Sequence, residues 1–479
     1  MIKCEQRFYV IKMIGIDKRY FLGGLALKKK ICFAFSTTQM IMLSFLFIIF
    51  IGSILLALPI SSATGKAVPY IDALFTATTA ACVTGLVTLP TVSTWSLFGH
   101  IVILLLIQIG GLGLITILSA FAVSFQKRMG LGHSMLIQDA FNLNTLSGLK
   151  EFVRKVIFGT LIVEGIGALG YMFVFVPEYG AKGIWISVFN SISAFCNAGI
   201  DIISENSLCD YVHNPIVNFV TIGLIIVSGI GYIVWWDILR VLKNIKKQNW
   251  KCIKHLTLHS KIALSTTGVL ILAGAVLVFL FEYQNPLTIG TFTLGQKIQA
   301  SLFQSVTTRT AGFATIPQQN FGNAASMVSL FLMFIGGSPV GTAGGVKTVT
   351  IAILFMSAFA TIQNKNEVTL FHRDISKQAV SKAVAVVSMS FLIMFLSTIL
   401  LSAVIEADAL DILYETVSAT ATVGLTRNLT PILNTAGKLI IIGTMYLGRI
   451  GPISLAIAFN SRKEKQNIIK NPTEKISVG

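Results

Sequence analysis

Long apolar runs alternate with short ones along this chain. The long runs fall at about 38–58, 97–124, 152–176, 215–239, 261–283, 324–360, 380–405 and 436–459. Each reaches the roughly 20 residues that cross a hydrocarbon layer as a helix. Between alternate pairs lie shorter segments, Ile71 to Ala81, Ile184 to Phe195, Gln296 to Thr307 and Ala409 to Ala419. These cannot span a ~30 Å core as helices. Each runs into a Thr/Ser-rich stretch that contains glycine: TTAACVTGLVT, SISAFCNAGIDI, SVTTRTAGFATI and SATATVGLTRN.

The shared glycines are Gly85, Gly199, Gly312 and Gly424, separated by 114, 113 and 112 residues. Such even spacing marks an internal repeat. One unit is a long apolar run, a short one, a glycine turn and a second long run. The expected fold is an all-α polytopic membrane protein of four tandem helix–pore loop–helix units: eight spans and four re-entrant pore helices, with pseudo-fourfold symmetry around a central pore. Expected boundaries are an N-terminal segment 1–35, pore unit 1 at 36–124, a linker 125–151, unit 2 at 152–242 and a linker 243–259. Unit 3 follows at 260–362, then a linker 363–379, unit 4 at 380–460 and a tail 461–479.

Composition agrees, with 54% of the 479 residues hydrophobic and 12% charged. A soluble domain carries about 25% charged residues, so a soluble enzyme is excluded. Net charge +17 would suit nucleic-acid binding, and the placement of the charges decides against it. Only Lys66, Lys182, Lys297, Arg309, Arg427 and Lys438 lie between the long runs of a unit or at their outer ends. Lys347 and Arg449 lie inside long runs, and the rest gather at the termini and inter-unit linkers. By the positive-inside rule, the linkers and both termini are expected in the cytoplasm, so every unit has the same orientation. Ten acidic residues on the other face suggest a cation-attracting vestibule or merely solvated loop charges. The six cysteines have no C-x-x-C spacing, so neither a zinc site nor a disulfide framework is indicated.

Irregular backbone at membrane depth is tolerated where it lines a watery cavity. Four glycine turns around one axis would stack carbonyl oxygens in place of a cation's hydration shell. Turning those carbonyls inward calls for φ > 0, which a Cβ penalises. The candidate filter segments are Cys82-Val83-Thr84-Gly85, Cys196-Asn197-Ala198-Gly199, Arg309-Thr310-Ala311-Gly312 and Ala421-Thr422-Val423-Gly424. Their side chains differ widely while the glycine recurs, which suits coordination by backbone oxygens. Arg309 is expected to point behind the filter and bond pore-helix carbonyls.

With these motifs the sequence resembles the Trk/Ktr/HKT superfamily of potassium transporters, over nearly the whole chain. It is most similar to the bacterial Ktr membrane subunit, KtrB, because only about 35 residues precede the first run. The resemblance implies a multi-pass plasma-membrane protein that passes K+ through the filter. It further implies a homodimer on a separate cytosolic nucleotide-binding ring, a KtrA-like RCK regulatory subunit. No cofactor is expected, and Na+ stays open as an activating or coupled ion. In the family a serine at the first filter glycine accompanies sodium permeation, so Gly85 favours potassium.

The sixth run is broken by Gly336-Gly337-Ser338-Pro339-Val340-Gly341-Thr342-Ala343-Gly344-Gly345, followed by Lys347. Five glycines and a proline cannot hold a straight helix. The resemblance makes this opening an intramembrane gate, against the plainer reading of a static kink. Val346 between Gly345 and Lys347 excludes a phosphate-binding P-loop. Arg449, within the last run, is costly in lipid. It is expected to be a positive barrier on the pore by resemblance, or else to tie down carbonyls or pair with Glu164. Two rivals remain: a sodium-permeable transporter of the same fold, and a membrane-embedded enzyme, for which no catalytic constellation is present.

Overall fold

The structure, a computed structural model, describes residues 37–113, 149–243, 254–365 and 367–451. Residues 1–35, most of linker 125–151, part of linker 243–259, the tail and the far ends of two long runs lie outside these residues.

The described chain is almost entirely helical. The first repeat consists of α1 (Thr37–Ala57), α2 (Tyr70–Cys82) and α3 (Leu97–Leu112). The second consists of α4 (Leu149–Tyr179), α5 (Ala181–Cys196), α6 (Pro215–Gly229) and α7 (Tyr232–Leu242). In the third are α8 (Leu258–Glu282), α9 (Leu294–Thr307), α10 (Asn323–Phe334) and α11 (Thr348–Ile362). The fourth has α12 (Lys377–Ser402), α13 (Ala409–Ala421) and α14 (Thr435–Ile450). Among the described residues, α1, α4, α8 and α12 are long and apolar enough to cross a membrane, and the bent pair α6–α7 passes the same test jointly. Exposed Phe47, Phe50, Leu161, Ile162, Leu272 and Phe391 line these long helices, as expected where lipid replaces water as solvent.

Local chemistry sets the helix starts. Asn214 caps α6 before Pro215, Thr257 caps α8, and Thr293 with Gln296 forms a capping box on α9. The short helices α2, α5, α9 and α13 fall where the short apolar segments were expected, to within three residues at each end.

Two expectations need correction. The run 215–239 is not one helix, since α6 and α7 meet at 96°; Gly231 (φ +89°) supplies the conformation at the break. The all-α description also omits a two-stranded hairpin in linker 363–379, β1 (Val368–Leu370) paired antiparallel with β2 (Arg373–Ile375). Its turn residues Phe371 and His372 both have positive φ. The break at Gly231 has counterparts: α3 stops at Gly113 (φ +81°) and α14 at Gly451 (φ +83°).

The short helices knit the repeats together. Each packs against its own long helix and against the second helix of the preceding repeat: α5 on α3, α9 on α6, α13 on α10, and α2 on α14. The last contact joins the two ends of the described chain and closes a cycle. It is reinforced by Lys438 Nζ, which donates to Asp72 at 2.5 Å with both side chains largely buried.

Seven of the ten acidic residues expected to form a vestibule have internal partners: Asp72 with Lys438, Asp411 with Arg427, Glu178 with Tyr211, Glu205 with Ser93, and the buried Asp201, Glu282 and Glu415 with neighbouring donors. Asp210, Glu406 and Asp408 are exposed and match the solvated-loop reading, as Glu178 and Glu205 do in exposure though not in bonding. Buried carboxylates require donors, and the buried Asp72, Asp201, Glu282 and Glu415 each have one.

Lys438→Met should leave Asp72 buried and unpaired, lowering stability by about 3 kcal/mol. The double change Lys438→Met, Asp72→Leu should recover most of that loss. Thermal unfolding of the detergent-solubilised protein measures both; equal melting of parent and single variant would show that the pair does not hold the cycle closed.

Candidate functional site

At the C-termini of α2, α5 and α13 the next residue turns left-handed: Val83 (φ 55°), Asn197 (φ 59°) and Thr422 (φ 52°). After α9 the turn comes later, at Thr310 (φ 68°). In all four segments this residue stands two before the glycine. Left-handed geometry is unfavourable for β-branched side chains, so Val83, Thr310 and Thr422 hold strain that the expectation had placed on the glycines alone.

The glycines share the positive range, with φ of +99°, +65°, +82° and +98° in chain order. They also stand in a cycle. A Cβ on Gly85 would come within 2.5 Å of the Ala198 carbonyl oxygen, and one on Gly199 within 2.6 Å of that of Ala311. On Gly312 it would strike the Val423 carbonyl and on Gly424 the Thr84 carbonyl, returning to the first segment. Each glycine thus abuts the carbonyl just before the next glycine. No side chain fits between the segments, which accounts for the one invariant residue among otherwise different sequences.

A hydroxyl in each short helix props its segment, and the sequence reading overlooked these residues. Thr79 and Ser418 accept the amides of Gly85 and Gly424 at 2.9 and 3.0 Å. Ser193 and Thr307 donate to the carbonyls of Ile200 and Phe313, one residue past the glycine, at 2.5 and 2.6 Å. The signal was present: a Ser or Thr stands six residues before the glycine in three motifs and five before it in the third. Thr84 Oγ1, Asn197 Oδ1 and Thr422 Oγ1 are buried in these segments without a protein partner.

Cys82, Cys196 and Ala421 close their helices with buried side chains. The Cys196 thiol faces Gln108 Oε1 at 3.6 Å. Arg309 Nη2 donates to Gly336 O (3.2 Å) and Thr267 Oγ1 (3.3 Å) rather than to the carbonyls of α9 that were expected.

The segment between α10 and α11 forms a loop that touches the second, third and fourth repeats. Its stem is a parallel bridge between Ile335 and Val346, with Ser338 Oγ and Thr348 Oγ1 2.8 Å apart. Its flank lies along the α6–α7 break, where Ser338 N donates to Gly229 O at 2.8 Å and Tyr232 N to Val340 O at 2.9 Å. Its tip lies under the glycine segments: Asn197 Nδ2 donates to Thr342 Oγ1 at 2.8 Å, and Gly344 N to Thr310 Oγ1 at 3.1 Å. A Cβ on Gly344 would collide with Thr422 Oγ1. Lys347 Nζ folds back to Ala343 O and Gly344 O at 2.6 and 3.3 Å.

Arg449 ends α14 and joins this loop to the first repeat. Its Nη1 donates to Thr342 O at 2.9 Å and its Nη2 to Gly110 O. It does not pair with Glu164, whose carboxylate accepts from Gln108 Nε2 at 3.1 and 3.3 Å. The site residues singled out in the sequence thus converge on one region, with the glycine cycle above and the loop and Arg449 against its underside.

Removing one prop should loosen a segment without touching a carbonyl. Ser418→Ala leaves the Gly424 amide unsatisfied and should cost about 1–3 kcal/mol. Detergent-solubilised thermal unfolding reads this, and an unchanged melting temperature would mean that the hydroxyl does not hold the segment.

The chain matches the TrkH cation transport protein model over residues 19–471. It is 40% identical over 446 residues to the Ktr system potassium uptake protein B of Bacillus subtilis, covering 93% of this chain and 97% of that protein. With the potassium/sodium uptake protein NtpJ of Enterococcus hirae it shares 37% identity over 461 residues, 95% of this chain and 99% of the other. Its fold matches the crystal structure of the potassium transporter TrkH from Vibrio parahaemolyticus at TM-score 0.71 and 16% identity, over 95% and 91% of the two chains.

Proposed function

The chain belongs to the TrkH family of cation transport proteins, and on that premise we propose that it is the ion-conducting membrane subunit of a potassium uptake system. It is a membrane transporter and not an enzyme. The observation that carries the proposal is the closed cycle of glycines and carbonyls. Four backbone segments that approach so closely leave an axis ringed by oxygen, the hard donor type that replaces water around an alkali cation. The unpartnered oxygens of Thr84, Asn197 and Thr422 enrich the same region in acceptors. Each short helix directs the negative end of its dipole at this axis.

In this reading the eight long runs form the spans, the short helices enter from outside, and both termini are cytoplasmic. The loop 336–347 and Arg449 form the gate beneath the filter. A homodimer resting on a cytosolic nucleotide-binding subunit is the proposed assembly; the Ktr system name of the 40% relative favours a multi-component system. Sodium permeation through the same filter is the second reading, favoured by the potassium/sodium name of the 37% relative. Competition of Na+ against Rb+ uptake in the parent protein separates the two.

Gly85→Ser would place a Cβ against the Ala198 carbonyl and break the cycle at one point. Discrimination against sodium should fall in the same competition assay, normalised to folded protein. Unchanged discrimination would remove Gly85 from the filter.

Arg449→Ala should raise Rb+ uptake per folded protein, while Arg449→Lys keeps the charge without the planar fork of donors and should retain much of the restraint. A purely structural Arg449 predicts only a loss of folded protein, by ~1–3 kcal/mol of unsatisfied carbonyls.

A further inference from the structure

The loop that closes the underside of the glycine segments is held in two different ways. Its stem is bonded within itself, through Gly336 N to Val346 O at 3.0 Å, Val346 N to Phe334 O at 3.2 Å and Thr348 N to Gly337 O at 3.0 Å. These bonds would survive a swing of the tip. The tip, residues 341–344, is held from outside by three side chains: Asn197 on the Thr342 hydroxyl, Thr310 on the Gly344 amide, and Arg449 on the Thr342 carbonyl. Two of the three come from the glycine segments themselves.

The direction of the Asn197 bonds is settled by what its partners do. Ser228 Oγ spends its hydrogen on Ile225 O at 3.2 Å, and Thr342 Oγ1 spends its own on Phe195 O at 3.1 Å. Both hydroxyls can only accept from Asn197, so the amide nitrogen faces them, at 3.1 Å from Ser228 and 2.8 Å from Thr342. One amide group thereby ties the second glycine segment to the loop tip and to the last turn of α6, next to the 96° break. Asn also suits its backbone position, where φ is 59°.

We infer that Asn197 and Thr310 are positioning residues that latch the loop tip in its closed place, so that the segments selecting the ion also set how often the path beneath them opens. This rests on the reading of the loop as a gate and goes beyond it by assigning the closing contacts to side chains of the second and third glycine segments. The two segments are not equivalent to the other two. At the same left-handed position the first segment has Val83, which packs against the place of a Cβ on Gly110, and the fourth has Thr422, whose hydroxyl has no partner. The latch is therefore one-sided, on the side of the α6–α7 break, and the tip would swing away from the second and third repeats.

Two isosteric substitutions test this without new backbone strain. Thr342→Val removes the hydroxyl that Asn197 grips and leaves every glycine segment intact. Thr310→Val removes the acceptor for Gly344 N, replacing one β-branched residue by another where φ is already 68°. Each lost bond should favour the open loop by about fivefold, the equilibrium weight of a typical hydrogen bond. Thr310→Val loses one, and Thr342→Val loses two, the bond from Asn197 and its own to Phe195 O, both of which tie the tip to the second repeat. Rb+ uptake into proteoliposomes, per folded protein, should rise by up to that factor in Thr310→Val, by more in Thr342→Val and further in the double variant. Folded protein is counted by monodisperse elution and thermal unfolding, so a residue with only a structural role would lower the count without raising the rate. Arg449→Ala runs in parallel as the test of the gate. A rise for Arg449→Ala with no rise for either threonine variant would leave the gate standing and overturn the latch. No rise in any of the three would overturn the gate and the latch together.

Discussion

The contact on which the remaining geometry depends is that between each glycine and the carbonyl preceding the next one. The cycle Gly85–Ala198, Gly199–Ala311, Gly312–Val423, Gly424–Thr84 admits no Cβ at any of its four points. Bringing four backbones so close requires that none of them satisfy its hydrogen bonds by pairing with another. The props Thr79, Ser193, Thr307 and Ser418 supply partners from within each segment's own helix instead. Strain at the three β-branched left-handed residues is then overdetermined by local bonds, such as Thr84 N to Thr79 O and Val423 N to Ser418 O. Strained conformations persist only under such conditions.

The closed cycle of helices follows from the same constraint. A short helix cannot bury all its sides against one partner, so each is wedged between its own long helix and the second helix of the preceding repeat. Those second helices must pass close to the short-helix ends, and small residues make room. Gly110 backs onto Ala81 O, Gly448 onto Thr420 O, and Gly111 onto the Cys196 side chain. Beyond that crossing the helices stop or turn, at Gly113, Gly231 and Gly451 and at the loop after Phe334.

How much of this was legible in the sequence depends on whether the signal was local. The short helices were, because apolar content, length and a terminal glycine all lie within about fifteen residues. The broken third-repeat helix was as well, since glycine and proline interrupt it openly. The break at Ile230–Gly231 was not: the surrounding Ser-Gly-Ile-Gly-Tyr is apolar enough to pass as continuous helix, and only packing against Val340 shows that the chain turns. The props were legible but unread, because a hydroxyl in a short helix is common unless four copies are aligned. Nothing local announces the Asp72–Lys438 pair, whose partners are 366 residues apart, or the carbonyls that Arg309 and Arg449 find.

Those carbonyls explain why three cationic side chains are tolerated at this depth. Breaking a helix inside an apolar layer frees carbonyl oxygens that have neither water nor a following turn to satisfy them. A lone cation in the same layer is equally costly. Here each problem offsets the other: Arg309 takes Gly336 O, Lys347 takes Ala343 O and Gly344 O, and Arg449 takes Thr342 O and Gly110 O. Among the described residues no carboxylate pairs with these three, and Glu164 accepts from Gln108 instead. Carbonyl dipoles satisfy these donors without an opposite formal charge beside them. The same bonds satisfy both the freed carbonyls of the broken helix and the buried cations, so neither is left without a partner. Only Lys347 belongs to the loop itself; Arg309 and Arg449 reach its carbonyls from other helices, so the loop's place depends on both.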